Sequence, residues 1–308
     1  MSFTNIINPT MVAMGPISIR WYGLFLALGV LCSVLIIVKL FKQNNLKPQD
    51  AVDLCIWLII GGLVGARLGE VLFYEPGFYF SHPLEIIFIN HGGLSSHGMT
   101  LGLLVTFWLW ARMSLRGNTK SHCEERGTSD AAILIVDNEI ASSADANRPP
   151  RNDGGILSLA MTGWRKIVDL IIIPIPLLAA FIRLGNFFNS EIVGKPTNLP
   201  WGVKFPLYES FPVPRHPSQL YEALIALAIC YLLSVIWKKY GPKLPPLFLT
   251  HLFLLLYFSS RFLIEFLKAD YQTSLGLTMG QILSVPFILW STTWFILLLV
   301  GEGKRMRS

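Results

Sequence analysis

The sequence predicts an all-α integral membrane protein: a bundle of about seven transmembrane helices, N-terminus outside and C-terminus inside, with an irregular cap on the external face. Three observations carry this. Of the 308 residues 53% are hydrophobic and only 14% charged, with mean hydropathy +0.53, far from the roughly 25% charge of soluble domains. Apolar runs of roughly 18 to 24 residues recur, long enough to cross a hydrocarbon core about 30 Å thick. Because lipid offers the backbone no hydrogen bonds, and runs this long exclude a barrel, a helix bundle follows. Lys and Arg are also unevenly placed: with the N-terminus outside, inner segments hold 17 and outer segments five, the positive-inside pattern. This asymmetry accounts for most of the net charge of +6, which therefore does not indicate nucleic acid.

The predicted spans are 17–39, 52–73, 94–113, 167–185, 218–237, 245–263 and 280–300. The opening MSFTNIINPTMVAMGPISI lacks a basic region and a small-residue cleavage site, so the first span is expected to direct insertion. Between the second and third spans, Glu75 to Gly93 mixes aromatics with short apolar pieces and has no Lys or Arg; it is expected to lie in the interface plane. Residues 116–155 are polar, rich in small side chains and without sustained helical periodicity, which predicts a flexible cytoplasmic insertion. Residues 186–217 hold six prolines (196, 200, 206, 212, 214 and 217), a density that suits an ordered irregular cap better than a helix. Of Cys32, Cys55, Cys123 and Cys230, three lie in apolar runs and none forms a CxxC pair; they read as small packing residues.

Three arginines fall inside spans, Arg67, Arg183 and Arg261. Each costs about 2.5–3.5 kcal/mol at a helix centre, so each needs an ion partner or a polar cavity. Arg67 has Glu70 at i+3 and Arg261 has Glu265 at i+4. Arg183 has no such local partner. It lies near the outer end of its span and is followed in RLGNFFNSEIVGKPT by Asn186, Asn189, Glu191 and Gly194. That is more hydrogen-bonding capacity than a side chain snorkelling to the interface requires. A planar guanidinium fork beside amide groups matches a phosphate, and a phosphate at the outer headgroup boundary is the natural ligand.

Two further clusters accompany it. In GGLSSHGMTLG, Gly92 to Gly102, His97 is either a structural residue at a helix start or a side chain poised as a base near neutral pH. In RHPSQLYEA, Arg215 to Ala223, Ser218 is placed to cap the fifth span and Tyr221 to anchor at the interface, beside His216, Gln219 and Glu222. His91 and His97 lack a third ligand at useful spacing, so no metal is expected. Asp169, at the inner start of the fourth span, reads as a favourable carboxylate at a helix N-terminus.

Taken in order with RWYG (Arg20 to Gly23) and RFLIE (Arg261 to Glu265), these blocks resemble the prolipoprotein diacylglyceryl transferase family over nearly the whole chain except the insertion. The resemblance implies a multi-pass enzyme of the bacterial inner membrane with a periplasmic cap. It implies transfer of the diacylglyceryl group of phosphatidylglycerol to the lipobox cysteine of a prolipoprotein, forming a thioether and releasing glycerol 1-phosphate, with no cofactor. Carried onto this chain, the catalytic positions are His97, Arg183 and Arg261. Tyr22, Asn186, Glu191, Gly194, Glu222, Tyr257 and Glu265, with Arg183, bind substrate, and Asp169 is a further family position. The chain departs at Ile182, where the family usually has Gly, at Met99, where it has a second Gly, and at Glu70, where an aromatic is common. The competing class is a transporter or flippase for an anionic solute or lipid, since intramembrane arginines also mark substrate paths. Such proteins often carry internal repeats, and the two halves here show no self-similarity.

Overall fold

Prolines, glycines and apolar length set the element boundaries. The computed structural model describes residues 3–15, 17–87, 95–126, 157–269 and 276–305. Within these, strands β1 (Phe3–Thr4), β2 (Thr10–Met14) and β3 (Ile17–Arg20) precede α1 (Trp21–Gln43) and α2 (Pro48–Gly69). A π-helical turn (Glu70–Tyr74), α3 (Pro76–Ser81) and a 3₁₀ turn (Pro83–Ile86) lead to α4 (Ser96–Arg126). Then come α5 (Leu157–Ile172), α6 (Ile175–Phe188), β4 (Val203–Lys204), α7 (Ser218–Tyr240), α8 (Phe248–Glu265) and α9 (Met279–Arg305). Among the described residues six segments are long and apolar enough to cross a membrane: Trp21–Gln43, Pro48–Phe73, Trp164–Phe188, Ser218–Tyr240, Phe248–Glu265 and Met279–Gly301. The chain is a multi-pass membrane protein. The span expected at 94–113 is represented by the shorter apolar stretch Gly98–Met113 of α4.

Several boundaries differ from expectation. Residues 17–20 form a strand rather than the first turn of α1, because Ile17–Arg20 pairs antiparallel with Thr10–Met14 around Gly15 at φ +59°, a sign of φ that glycine adopts without cost. The fourth span is two helices: Pro174 and Pro176 contribute no backbone N–H, and the chain breaks at Ile173–Pro174 before α6 restarts. Helix α4 runs on to Arg126, through residues 116–126 of the segment whose composition indicates no sustained helix. The rest of that segment, 127–155, lies outside the described residues, as do His91 and the side chain of His97.

The chain divides into two compact units. In the unit formed by Val38–Trp164, α2 and α4 pack through glycines. A Cβ on Gly98 would sit 2.7 Å from Gly69 Cα, and one on Gly102 2.9 Å from Gly65 Cα, so the close approach of the two backbones requires residues without side chains. Buried Arg67 reaches from α2 to the following segment. Its Nε donates to Ile86 O at 3.0 Å, Nη1 to the Tyr79 hydroxyl at 3.2 Å and Nη2 to Glu85 O, with the guanidinium 4.8 Å from the Tyr79 ring centre.

The other unit, Met1–Ile37 with Arg165–Ser308, packs α6 on α7, α7 on α8 and α8 on α9. Ala180, Ala223 and Ala226 form the α6–α7 seam, where small side chains bring the helices close. The proline-rich segment after α6 is irregular but ordered. Phe187, Val193, Val203 and Phe205 form its own small core. Strand β4 pairs in parallel with β1, and Arg215 bridges to both Pro196 and Val203. Arg215 Nε and Nη2 also donate to Glu209 Oε1 and Oε2 at 2.9 and 2.7 Å, and these bonds hold the Glu209 carboxyl below its usual pKa range.

Candidate functional site

Helical spacing gathers the polar residues of three helices onto one cavity. On α6, Ala179 and Arg183 are four apart; on α7, Glu222, Ile225 and Ala226 share a face; on α8, Tyr257, Ser260, Arg261 and Ile264 do the same. Together these nine side chains line one open cavity. The local pairing that spacing suggested for Arg261 is not made directly. Among the described residues no carboxylate comes within 4 Å of Arg261, although Glu265 feels its charge.

An alternating set of charges surrounds the cavity. Glu222 Oε2 lies 2.5 Å from Arg183 Nε, and Glu222 Oε1 lies 2.7 Å from Lys268 Nζ. Lys268 Nζ also contacts Glu265 Oε2 at 2.9 Å. Lys268 and Glu265 are buried, at 2% and 3% exposure. A buried ion loses several kcal/mol of hydration, so the pairs stand only because each charge meets another, and removing one partner costs about 3–5 kcal/mol. A Cβ on Gly280 would fall on the Glu265 carboxylate, so α9 presents glycine there.

The turn after α6 carries the next layer. Arg183 Nη1 donates to Asn186 Oδ1 over a long 3.4 Å, and Asn186 Nδ2 donates to Glu191 Oε2 at 3.0 Å. Asn189 Nδ2 donates to the other Glu191 oxygen at 3.1 Å. Ser190 and Ile192, on either side of Glu191, both have left-handed backbone, φ +57° and +55°. For β-branched Ile192 that conformation is a true outlier, held by its surroundings. Gln219 Nε2 donates to Glu191 O at 2.6 Å and Ser218 Oγ to Ile192 O at 2.8 Å. Ser218 therefore secures this turn and does not cap α7 as expected, because the strained backbone presents a carbonyl to its hydroxyl.

Gly194 is needed where it stands. A Cβ there would sit 2.6 Å from His216 Cβ and 2.9 Å from Leu267 O. Tyr22, in the first turn of α1, packs on Gly185, where a Cβ would meet its ring at 2.9 Å, and lies in the fields of Arg183 and Glu191. Tyr257 stacks on Phe253 with ring centres 5.2 Å apart. His216 and Tyr221 sit apart from the cavity lining: Trp201 Nε1 donates to the Tyr221 hydroxyl at 2.8 Å, which meets His216 Nδ1 at 3.3 Å.

Asp169 corrects its expectation. It lies well inside α5, not at its start, because α5 begins at Leu157. Its Oδ1 accepts from Thr250 N at 2.8 Å and Thr250 Oγ1 at 2.7 Å. The carboxylate does serve a helix N-terminus, but that of α8, whose preceding residue Leu247 has φ +68°.

Sequence reasoning missed Lys268 and Asn5. Lys268 was counted only as an external charge. Its one signal was i+3 spacing from Glu265. Asn5 is fully buried and donates to Phe187 O at 2.8 Å and Ser190 Oγ at 3.3 Å, tying the N-terminal segment to the end of α6; nothing local in the sequence marks it.

Comparison with known proteins bears on what this site does. The family profile described as prolipoprotein diacylglyceryl transferase matches residues 9–122 and 155–297. A phosphatidylglycerol–prolipoprotein diacylglyceryl transferase from Chloroherpeton thalassium is 38% identical, the match covering 92% of this chain and 89% of that protein. Proteins of the same name from Tolumonas auensis and Bacteroides fragilis are 34% and 32% identical, over 97% and 92% of this chain and 98% and 90% of theirs. Residues 123–154, within the polar segment after α4, fall between the two matched stretches.

Proposed function

The chain belongs to the prolipoprotein diacylglyceryl transferase family, and from that premise we propose that it is a transferase moving the diacylglyceryl group of phosphatidylglycerol onto the lipobox cysteine of a prolipoprotein. The observation that carries this reading is the convergence of Arg183 and Arg261, from two different helices, on one cavity. Two guanidinium groups facing one space within apolar helices suit a phosphodiester at the headgroup boundary. The positive-inside pattern directs the end of α6 outward, to the periplasmic face of the bacterial inner membrane.

In this reading the substrate sulfur attacks the glycerol carbon that carries the phosphate. The C–S bond forms as the C–O bond breaks, and the bonding pair leaves on the phosphate oxygen. The products are a thioether and glycerol 1-phosphate. Negative charge on the phosphate grows as the bond breaks, so donors already aimed at it stabilise the transition state more than the bound lipid. Arg183 serves this role through its Nη edge, since its Nε is held by Glu222, and Arg261 serves it from the facing helix. Asn186, Glu191 and Tyr22 orient the headgroup hydroxyls beside the phosphate. Gly194 shapes the turn that carries Glu191, while Tyr257, Glu222 and Glu265 support the lipid side. A thiol with a pKa of about 8.5 is only a few per cent thiolate near neutrality; the family resemblance gives His97 the role of taking its proton.

The test is to incubate purified protein in phosphatidylglycerol vesicles with a lipobox peptide and weigh the peptide. A gain of one diacylglyceryl group is expected. No gain, with flux of an anionic lipid or solute instead, would replace this reading with transport.

A further inference from the structure

We infer that Lys268 is a positioning residue that takes up charge on Glu222 and Glu265, so that the two arginines present more of theirs to the ligand. This rests on the phosphodiester reading above. Arg183, Glu222, Lys268 and Glu265 form a chain of alternating sign that starts on the cavity wall, and Arg261 stands on the same wall. Lys268 does not line the cavity, whereas Arg183, Glu222 and Arg261 do. Its ammonium instead takes up charge on both carboxylates, at 2.7 and 2.9 Å. Glu222 is thereby shared between two cations instead of neutralising Arg183 alone, and Glu265 is held by the lysine without contacting Arg261. Positive charge is left on the two groups that face the ligand, where it favours a singly negative phosphodiester.

The main chain fixes where this ammonium sits. Lys268 forms a β-bridge with Gly194, and the neighbouring bonds Lys195 N to Leu267 O (2.7 Å) and Ala269 N to Val193 O (3.2 Å) flank it. The same strand-like contact therefore anchors both the Gly194 turn and the lysine. A lysine suits the position because a compact ammonium reaches two carboxylates from different helices, where no planar fork is required.

The experiment compares Lys268→Met and Lys268→Arg with the unmodified protein in vesicles of varied phosphatidylglycerol content, reading KM for the lipid, kcat and the thermal midpoint. Lys268→Met should raise KM by about tenfold or more, the order expected from one unit charge a few ångströms away at an effective protein dielectric; Lys268→Arg should restore most of it. A purely structural lysine would lower the thermal midpoint and the active fraction but leave KM unchanged, and that result overturns the inference. Should Lys268→Met fail to fold, Lys268→Gln, which can still hydrogen-bond the carboxylates without the charge, should raise KM likewise, and a KM near that of the unmodified protein overturns the charge argument. If the unmodified protein transfers nothing, the function reading fails and this inference with it. If it transfers, Arg183→Lys does not, and Lys268→Met keeps a normal KM, only this inference fails.

Discussion

Arg183→Lys keeps the charge of the site and removes its geometry. In the structure Arg183 Nε lies 2.5 Å from Glu222 Oε2 and Nη1 reaches toward Asn186, so one side chain serves the carboxylate with one edge and faces the cavity with the other. A lysine ammonium is a single point. The nearest strong partner for it is the Glu222 oxygen that Nε now holds, which draws it away from the phosphate. Losing one preorganised donor to a developing oxyanion costs about 2.7–4 kcal/mol, a factor of about 10²–10³ in kcat. Glu222 stays paired with Lys268, so the fold should survive with a thermal midpoint near that of the unmodified protein. The assay is the initial rate of diacylglyceryl mass gain on a lipobox peptide in phosphatidylglycerol vesicles, alongside thermal unfolding in detergent. A rate within about threefold of the unmodified protein would refute the fork argument, because mere charge would then suffice.

Other substitutions probe the supporting structure. Gly194→Ala should cost about 1–3 kcal/mol by overpacking against His216 and Leu267, read as faster proteolysis of 190–217 and reduced transfer; unchanged values for both would contradict the packing. Asp169→Ala should cost about 1–2 kcal/mol by removing the α8 cap, and Asp169→Asn, which keeps an acceptor, should lose less in thermal unfolding; equal losses would count against capping. His97→Gln should lower the transfer rate near neutrality and leave it rising with pH toward the thiol's own pKa of about 8.5, whereas an unchanged rate and profile would remove it as the base. The Glu209 carboxyl is held below its ordinary value of 4.5 by Arg215, so its contribution is present above that value and is lost as pH falls through the depressed one. Hydrogen exchange across residues 193–215 should therefore quicken at acid pH below about 4.5, and Glu209→Gln should exchange quickly at neutral pH as well; a variant as well protected as the unmodified protein would dismiss the tie.

Much of the fold is legible because its causes are local. Apolar length marks the spans, and prolines mark the irregular segment after α6. Where the sequence reading missed, a partner distant in the chain decided the outcome: Ile17–Arg20 is a strand because β2 returns to pair with it. The break in the fourth span has a local cause, since Pro174 and Pro176 stand inside the apolar run. The site shows the same division. Arg183, Asn186, Glu191 and Gly194 are neighbours in one stretch, so their association could be read directly, and an arginine in an apolar run announces that it needs a partner.

Which partner it finds could not be read. Arg183 meets Glu222, 39 residues away in sequence, and that carboxylate is shared with Lys268, a residue that composition placed among ordinary surface charges. Asp169 looked like the cap of its own helix and caps α8 instead. The sequence by itself determined that this is a multi-pass membrane protein and that arginines interrupt its apolar helices, because hydrophobic length and residue chemistry act over a few turns. Only the tertiary structure decided which charges neutralise one another and which are left facing the cavity. Ion pairing depends on distances between helices, and those are fixed by how α6, α7 and α8 pack.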